Sequence, residues 1–301
     1  MKVLIYGSRG WIGGKFVKIM NSHNVEYLIA NSRASNVEDI CKELDDNKDI
    51  THVVSFIGRT HGVYEGETIG TIDYLEKPGK LVDNINDNLF SPMVLAMLCN
   101  ERNIHYTYLG TGCIFEFDEA HPFGKTEHGF TETCAPNFFG SSYSIVKGYT
   151  DRLMRMFDKN VLNVRIRMPI TDEFNSRNFI TKISTYKKVC SVPNSMTVLN
   201  ELLPILLDMM KNKTIGTVNL TNPGLITHNE ILTMYKEIVD PDFTWENFSI
   251  EEQNVILLSK RSNNFLDTSK LETLYPNVMN IKDSVRVMLY KMKDNKNDAF
   301  F

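Results

Sequence analysis

The stretch KVLIYGSRGWIGGKF, residues 2–16, decides how the rest of the chain is read. Lys2–Tyr6 is a short, β-rich apolar run of strand length, and Trp11–Met20 is a segment of helix length. Gly7, Gly10 and Gly13 lie at their junction in a G-x-x-G-x-x-G spacing. Such glycines allow a tight turn, a close backbone approach to a pyrophosphate, and close packing of helix on strand. The phosphates then meet the positive N-terminus of the helix. A glycine triplet alone is a weak sign; a strand before it and a helix after it are the context that gives it meaning.

Outward from this junction the same alternation continues. Val25–Ala30, Thr51–Ile57, Ile104–Leu109 and Val161–Arg167 read as strands. Val37–Leu44, Leu89–Arg102 and Ser142–Phe157 read as helices between them. The pattern predicts an α/β protein with a Rossmann-type, doubly wound parallel sheet. Beyond Met168 the rhythm changes to mainly helical segments, Leu199–Lys211, His228–Val239 and Ile281–Met292. We therefore expect a dinucleotide-binding domain over residues 1–168 and a smaller, mostly helical substrate-binding lobe over 169–301. A strand near 214–221, TIGTVNLT, would return to the sheet. PDFTWENFSIEEQN (241–254) reads as an aromatic-rich loop, and KMKDNKNDAFF (291–301) as a frayed tail. The connection Gly58–Asn84 is long for a compact α/β fold, which marks it as functional or mobile.

The bulk composition excludes several functions. With 42% hydrophobic and 23% charged residues, 301 residues can bury a substantial core. A net charge of -4 gives no basic stripe for nucleic acid or anionic membranes. No apolar run approaches the roughly 18 residues of a membrane span, and the N-terminus carries no signal-peptide pattern. The five cysteines, Cys41, Cys99, Cys113, Cys134 and Cys190, contain no C-x-x-C pair. That argues against a disulfide framework or a structural metal site, and for a cytoplasmic, reducing setting.

The turn after the second strand selects the cofactor. Dinucleotide folds that take NAD usually place an acid there, while an arginine accommodates a 2′-phosphate. Here Asn31, Ser32 and Arg33 follow, so Ser32 and Arg33 favour NADPH. Further on, SSYSIVKG holds Tyr143 and Lys147 four residues apart, on one helix face. A lysine cation there can lower a tyrosine pKa from about 10 and can also hold the nicotinamide ribose. Thr111, at the end of IHYTYLGT, would hydrogen-bond a substrate carbonyl.

Through Gly7, Gly10, Gly13, Thr111, Tyr143 and Lys147 the chain resembles the extended short-chain dehydrogenase/reductases. The blocks YGSRGWIGG, GTGCIFEFD, PNFFGSSYSIVK, RIRMPI, RNFITKI and RSNNFLDTSKL are similar to the plant-type nucleotide-rhamnose synthase/epimerase-reductase family. That family converts UDP-4-keto-6-deoxyglucose to UDP-rhamnose by 3,5-epimerisation and 4-reduction. The resemblance implies that Trp11, Ile12 and Gly58 join the glycines around the cofactor, and that Asn88, Asn178 and Arg261 contact the nucleotide sugar. It also implies a homodimer. Some family members carry a dehydratase domain ahead of this module, for which 301 residues leave no room, so the ketone is expected from a separate 4,6-dehydratase.

Cys113 stands two residues beyond Thr111, where strand alternation would turn both to one face. Its residue type alone fits a proton-exchanging thiol or a small buried hydrophobe equally well. Related GDP-fucose synthases resemble this stretch in placing a cysteine there, whereas family dehydratases tend to have an Asp-Glu pair. The resemblance therefore implies proton exchange by Cys113. Lys182 in RNFITKI falls where epimerising relatives place their second exchange residue; His61 and His228 are substitutes with less to recommend them. A plain 4-ketoreductase and a non-catalytic NADP-binding subunit remain the competing readings.

Overall fold

A computed structural model describes residues 1–298 of the chain. Six parallel strands form the central sheet: β1 (Lys2–Tyr6), β2 (Glu26–Ile29), β3 (His52–Ser55), β4 (His105–Thr111), β5 (Val161–Ile166) and β6 (Gly216–Asn219). Their spatial order is β6-β5-β4-β3-β1-β2, so the winding direction reverses between β1 and β3. A crevice opens at the carboxyl ends of strands beside such a reversal, which is where α/β sheets bind ligands. The expected return of residues 214–221 is met by β6, which pairs in parallel with β5 along Gly216–Asn219 and Leu162–Arg165.

Helices cover both faces of the sheet because its strands are apolar on both sides. α1 (Trp11–Ser22) packs on one face and α2 (Val37–Asp46) lies on the other. α3 (Ser91–Glu101) packs beside α2, and α4 (Ser142–Met154) follows the long loop after β4. Asn36 caps α2 by accepting the Asp39 N–H, and Ser141 caps α4 by accepting that of Ser144. α5 (Phe179–Thr185) opens the C-terminal half, and α6 (Leu199–Lys211) returns to the α1 face of the sheet. Leu199, Leu202, Leu203, Leu206, Leu207 and Met210 form its buried stripe at helical spacing. Each such side chain contributes roughly 1.5–3 kcal/mol on leaving water. α7 (His228–Ile238), α8 (Ile250–Ile256) and α9 (Ile281–Asp298) complete the lobe, where Ile231, Tyr235, Val285 and Leu289 share a second core with Ile180 and Ile183.

Three expectations are corrected. Gly58–Asn84 is not a bare connection. It holds a two-stranded hairpin (Gly62–Tyr64 with Glu67–Ile69), a 3-10 turn (Ile72–Glu76) and the start of the helical run that leads into α3. The aromatic segment ends in α8, because Ser249 and Glu252 form a reciprocal capping box that a reading by composition overlooks. The tail is helical through Asp298, with 299–301 outside the described residues. All five cysteines are free. Among the described residues no helix is long and apolar enough to cross a membrane.

One buried ion pair joins the two chain segments that matter most. Arg165 on β5 donates from Nε and Nη2 to the two Asp151 oxygens of α4, both at 2.8 Å, with both residues almost fully buried. Removing one partner leaves an uncompensated charge in a low-dielectric interior. Asp151→Ala is expected to cost about 3–5 kcal/mol, read as a lower urea midpoint. A loss under 1 kcal/mol would show that the pair is incidental.

Candidate active site

The β1–α1 loop is shaped for a close ligand. Gly7 takes a φ of +76°, and a Cβ on Gly13 would sit 2.2 Å from the Gly7 carbonyl oxygen. Gly10 occupies the N-cap of α1 without a side-chain cap, leaving the first helical N–H groups to an incoming acceptor. The Trp11 Nε1 is buried without a partner. These features fit a dinucleotide pyrophosphate. Gly10, Trp11, Ile12, Gly13 and Gly58 line a cleft of about 1130 Å³.

The second-strand turn corrects the cofactor reading in one respect. An acid does stand there, delivered by α2 rather than by the turn itself. Glu43 accepts hydrogen bonds from Asn31 N at 2.8 Å, Ser32 N at 3.1 Å and Ser32 Oγ at 2.5 Å. Ser32 Oγ also meets the Tyr6 hydroxyl at 2.7 Å. The donors of Ser32 are thus already engaged, while Arg33 is exposed and joins none of the ion pairs among the described residues. Sequence distance hid Glu43, since the helix that carries it starts only at Val37.

The carboxyl end of β4 and the first turns of α4 bring Thr111, Cys113, Tyr143 and Lys147 to one wall of the cleft. β4 stops at Thr111, so alternation does not place Cys113. A local turn does: Cys113 N donates to Thr111 Oγ1 at 3.0 Å, and Ser144 Oγ donates to Cys113 O at 2.7 Å. Tyr143 is buried against Tyr74 and Leu75 of the long connection, whose Leu75 carbonyl and Glu76 carboxylate hold Ser142.

Lys147 differs from expectation. Its Nζ donates to the Tyr108 hydroxyl at 2.5 Å and lies 4.6 Å from that ring's centroid. Burial lowers its pKa to about 7, with Asp151 and Cys113 pulling weakly the other way. Tyr143 is raised, first by burial and then by Cys113, against a smaller lowering by Thr111. The tyrosine is therefore held protonated as a donor, rather than ionised by the lysine.

Among the other sequence-derived residues, Lys182 and Arg261 line the cleft and two asparagines do not. Lys182 Nζ donates to Gly70 O at 3.2 Å, and burial lowers its pKa, helped by the charges of Arg177 and Arg261. Arg261 lies in the cleft wall but is already paired: Nη2 meets Asp73 Oδ2 at 2.5 Å, and Nη1 meets Ser259. Burial opposes ionisation of Asp73, yet the hydrogen bonds from Arg261 and Thr71 hold its carboxyl well below the usual range. Asn178 is withdrawn as the N-cap of α5, its side chain spent on Thr171, Glu173 and Ile180. Asn88 is likewise buried and fastens the Gly58 loop through Arg59 N and O, at 3.0 and 2.9 Å. Neither asparagine is among the residues lining the cleft, and both side chains here hold neighbouring backbone.

The residues that the sequence reading missed are mostly cations. Arg167 is 1% exposed, and its Nε has no partner. Cys113 is the one group that favours its charge against burial. Gly112 makes room for it, since a Cβ there would lie 3.0 Å from the Arg167 side chain. His61 and His228 both line the cleft as well; burial lowers His61, assisted by Arg177, and drives His228 down to about 4. The lining carries seven lysines and arginines against one carboxylate, Asp73. A net-acidic chain thus holds a cationic cleft suited to a phosphorylated, enolisable ligand.

Lys147 makes stability depend on pH in a predictable direction. Its folded pKa near 7 lies below the ordinary 10.5, so between these values the unfolded chain binds more protons and stability rises with pH. Below about pH 7 both states hold the proton and the slope vanishes. Urea unfolding of the wild type between about pH 7 and 9 is expected to show this rise relative to Lys147→Met; parallel curves would refute it.

Comparison with known proteins agrees with this architecture. The NAD dependent epimerase/dehydratase family model matches residues 3–173. The L780 protein of Acanthamoeba polyphaga mimivirus is 53% identical over 293 residues, covering 97% of this chain and 99% of its own. The crystal structure described as the L780 UDP-rhamnose synthase superimposes with a TM-score of 0.91 at 52% identity, covering 97% of this chain and 99% of that one. A bifunctional dTDP-4-dehydrorhamnose 3,5-epimerase/dTDP-4-dehydrorhamnose reductase of Arabidopsis thaliana is 42% identical, covering 94% of this chain and 90% of its own. Match and geometry together place the glycine loop, the β4 end and α4 in one frame: the chain belongs to the NAD dependent epimerase/dehydratase family.

Proposed function

We propose that this chain is a 3,5-epimerase and NADPH-dependent 4-reductase that converts UDP-4-keto-6-deoxyglucose to UDP-L-rhamnose. The observation that carries the reading is the presence of Cys113 and Lys182 in the same cleft as Thr111, Tyr143 and Lys147. A reductase alone needs the last three; two further proton carriers suit epimerisation. The names borne by the mimivirus and Arabidopsis relatives point the same way.

A 4-keto group acidifies the hydrogens at C3 and C5, because loss of either proton gives an enolate spread onto the ketone oxygen. Thr111 and Tyr143 supply donors to that oxygen, and both epimerisation and reduction place negative charge on it. Cys113 removes a proton on one side of the sugar ring, and Lys182 returns one from the other. Arg167 places a buried cation within electrostatic reach of Cys113. Lys182 suits proton delivery because burial has brought it down from its ordinary range. A nicotinamide held beside Tyr143 and Lys147 would supply hydride chemistry at C4, and Tyr143 would protonate O4. Arg261 is our choice for the diphosphate, a contact that requires it to exchange Asp73 for the ligand.

Arg33 would take the 2′-phosphate of NADPH, with Glu43 opposing it. Arg33→Ala is expected to weaken NADPH binding about tenfold without altering NADH binding, whereas Glu43→Gln should favour NADPH. Fluorescence titration of both cofactors reads this, and an unchanged ratio in both variants would overturn the assignment. We further place the reaction in the cytoplasm, after a separate 4,6-dehydratase that supplies the ketone. A homodimer is our expectation for its assembly, because α3 and α4 leave Met97, Ile145 and Tyr149 exposed. A monomer mass by sedimentation would exclude it.

Product formed from NADPH and UDP-4-keto-6-deoxyglucose in deuterated water should carry deuterium at C3 and C5. Cys113→Ala should lose that exchange by at least a hundredfold while binding cofactor normally. Wild-type exchange in this variant would remove Cys113 from the mechanism. NADPH oxidation without any exchange in the wild type would leave a plain ketoreductase.

A further inference from the structure

Away from the cleft, the loop between β4 and α4 assembles a second nucleophilic constellation. Cys134 Sγ lies 3.8 Å from His121 Nε2, and His121 Nδ1 lies 2.8 Å from Asp118 Oδ1. Asp118 is held in turn by Asn137 Nδ2 at 2.8 Å, and the His121 ring stacks on Phe130 with centroids 3.7 Å apart. The Thr131 hydroxyl lies 3.4 Å from the same sulfur. Arg155 of the segment after α4 donates to the carbonyls of Glu132, Thr133 and Cys134, which sets a cation beside the turn. A thiol within reach of an imidazole that a carboxylate orients is the arrangement that activates a cysteine nucleophile.

We propose that Cys134 is a thiol-modification site, activated by His121 and Asp118, that takes small disulfides. None of its three members lines the cleft, so the site stands apart from the epimerase-reductase chemistry. The Cys134 S–H proton passes to His121 Nε2, and the sulfur attacks one sulfur of the incoming disulfide. The old S–S bond breaks, a mixed disulfide forms on Cys134, and the departing half leaves as a thiolate that takes up a proton. Cys134 is oxidised and the departing half reduced, so no further oxidant is required. Cys134 and His121 are partly exposed, which admits a small reagent, whereas Cys99 and Cys190 are buried. Cys41, also partly exposed but without an imidazole contact among the described residues, is the internal reference.

Full-length protein is treated with oxidised glutathione, and adducts are resolved by peptide mass spectrometry. Cys134 is expected to react at least tenfold faster than Cys41 at neutral pH. His121→Gln should bring Cys134 down to the Cys41 rate. If that variant does not fold, Asp118→Asn should still reduce the rate severalfold, and the wild-type ratio of Cys134 to Cys41 stands by itself. Equal rates at Cys134 and Cys41 would overturn the proposal. Cys134→Ser should retain full NADPH oxidation, which separates this site from Cys113.

Discussion

Much of this molecule hangs on one buried guanidinium. Arg165 is fully buried on β5, and its donors reach Asp151 of α4, Thr131 of the preceding loop and Asn219 of β6. Its guanidinium carbon also lies 5.0 Å from the Phe115 ring centroid. An arginine in a dry interior must satisfy its fork of donors or cost several kcal/mol. It therefore fixes every element that supplies an acceptor. The helix that carries Tyr143 and Lys147, the loop after Cys113 and the edge strand are registered against each other by this single residue.

From that registration follows the electrostatic character of the site. Lys147, Arg167 and Lys182 are all cations whose charge burial disfavours, and carboxylates do not neutralise them within the cleft. Such groups gain when an anion or an enolate arrives, since the ligand supplies the negative charge that the protein withheld. The single cleft carboxylate, Asp73, is committed to Arg261 and ties the long Gly58–Asn84 segment to the C-terminal lobe. Opening that contact would release both the Arg261 guanidinium and the segment that backs Tyr143.

How far the sequence could be read depended on the range of each interaction. The glycine loop, the order of strands and the Tyr143–Lys147 helix face are local patterns, and all were legible. Thr111 and Cys113 were legible as neighbours, although a hydroxyl-capped turn, not strand alternation, sets the second. The backbone contacts of Asn88 and Asn178 were not legible, because an asparagine near a site looks the same whether it faces a ligand or caps a helix. The contact of Lys147 with Tyr108 was not legible, because that partner lies on another element.

The sequence by itself determined the Rossmann-type sheet, the dinucleotide loop and the family, since each rests on spacing within a few residues of one segment. Only the tertiary structure decided which charges meet. Glu43 reaches the second-strand turn from α2, Arg167 stands near Cys113 with its Nε unpartnered, and Asp73 claims Arg261 across 188 residues. Such pairings have no periodicity to betray them. They arise when packing removes water from groups far apart in the chain, and burial rather than residue type then sets their charge.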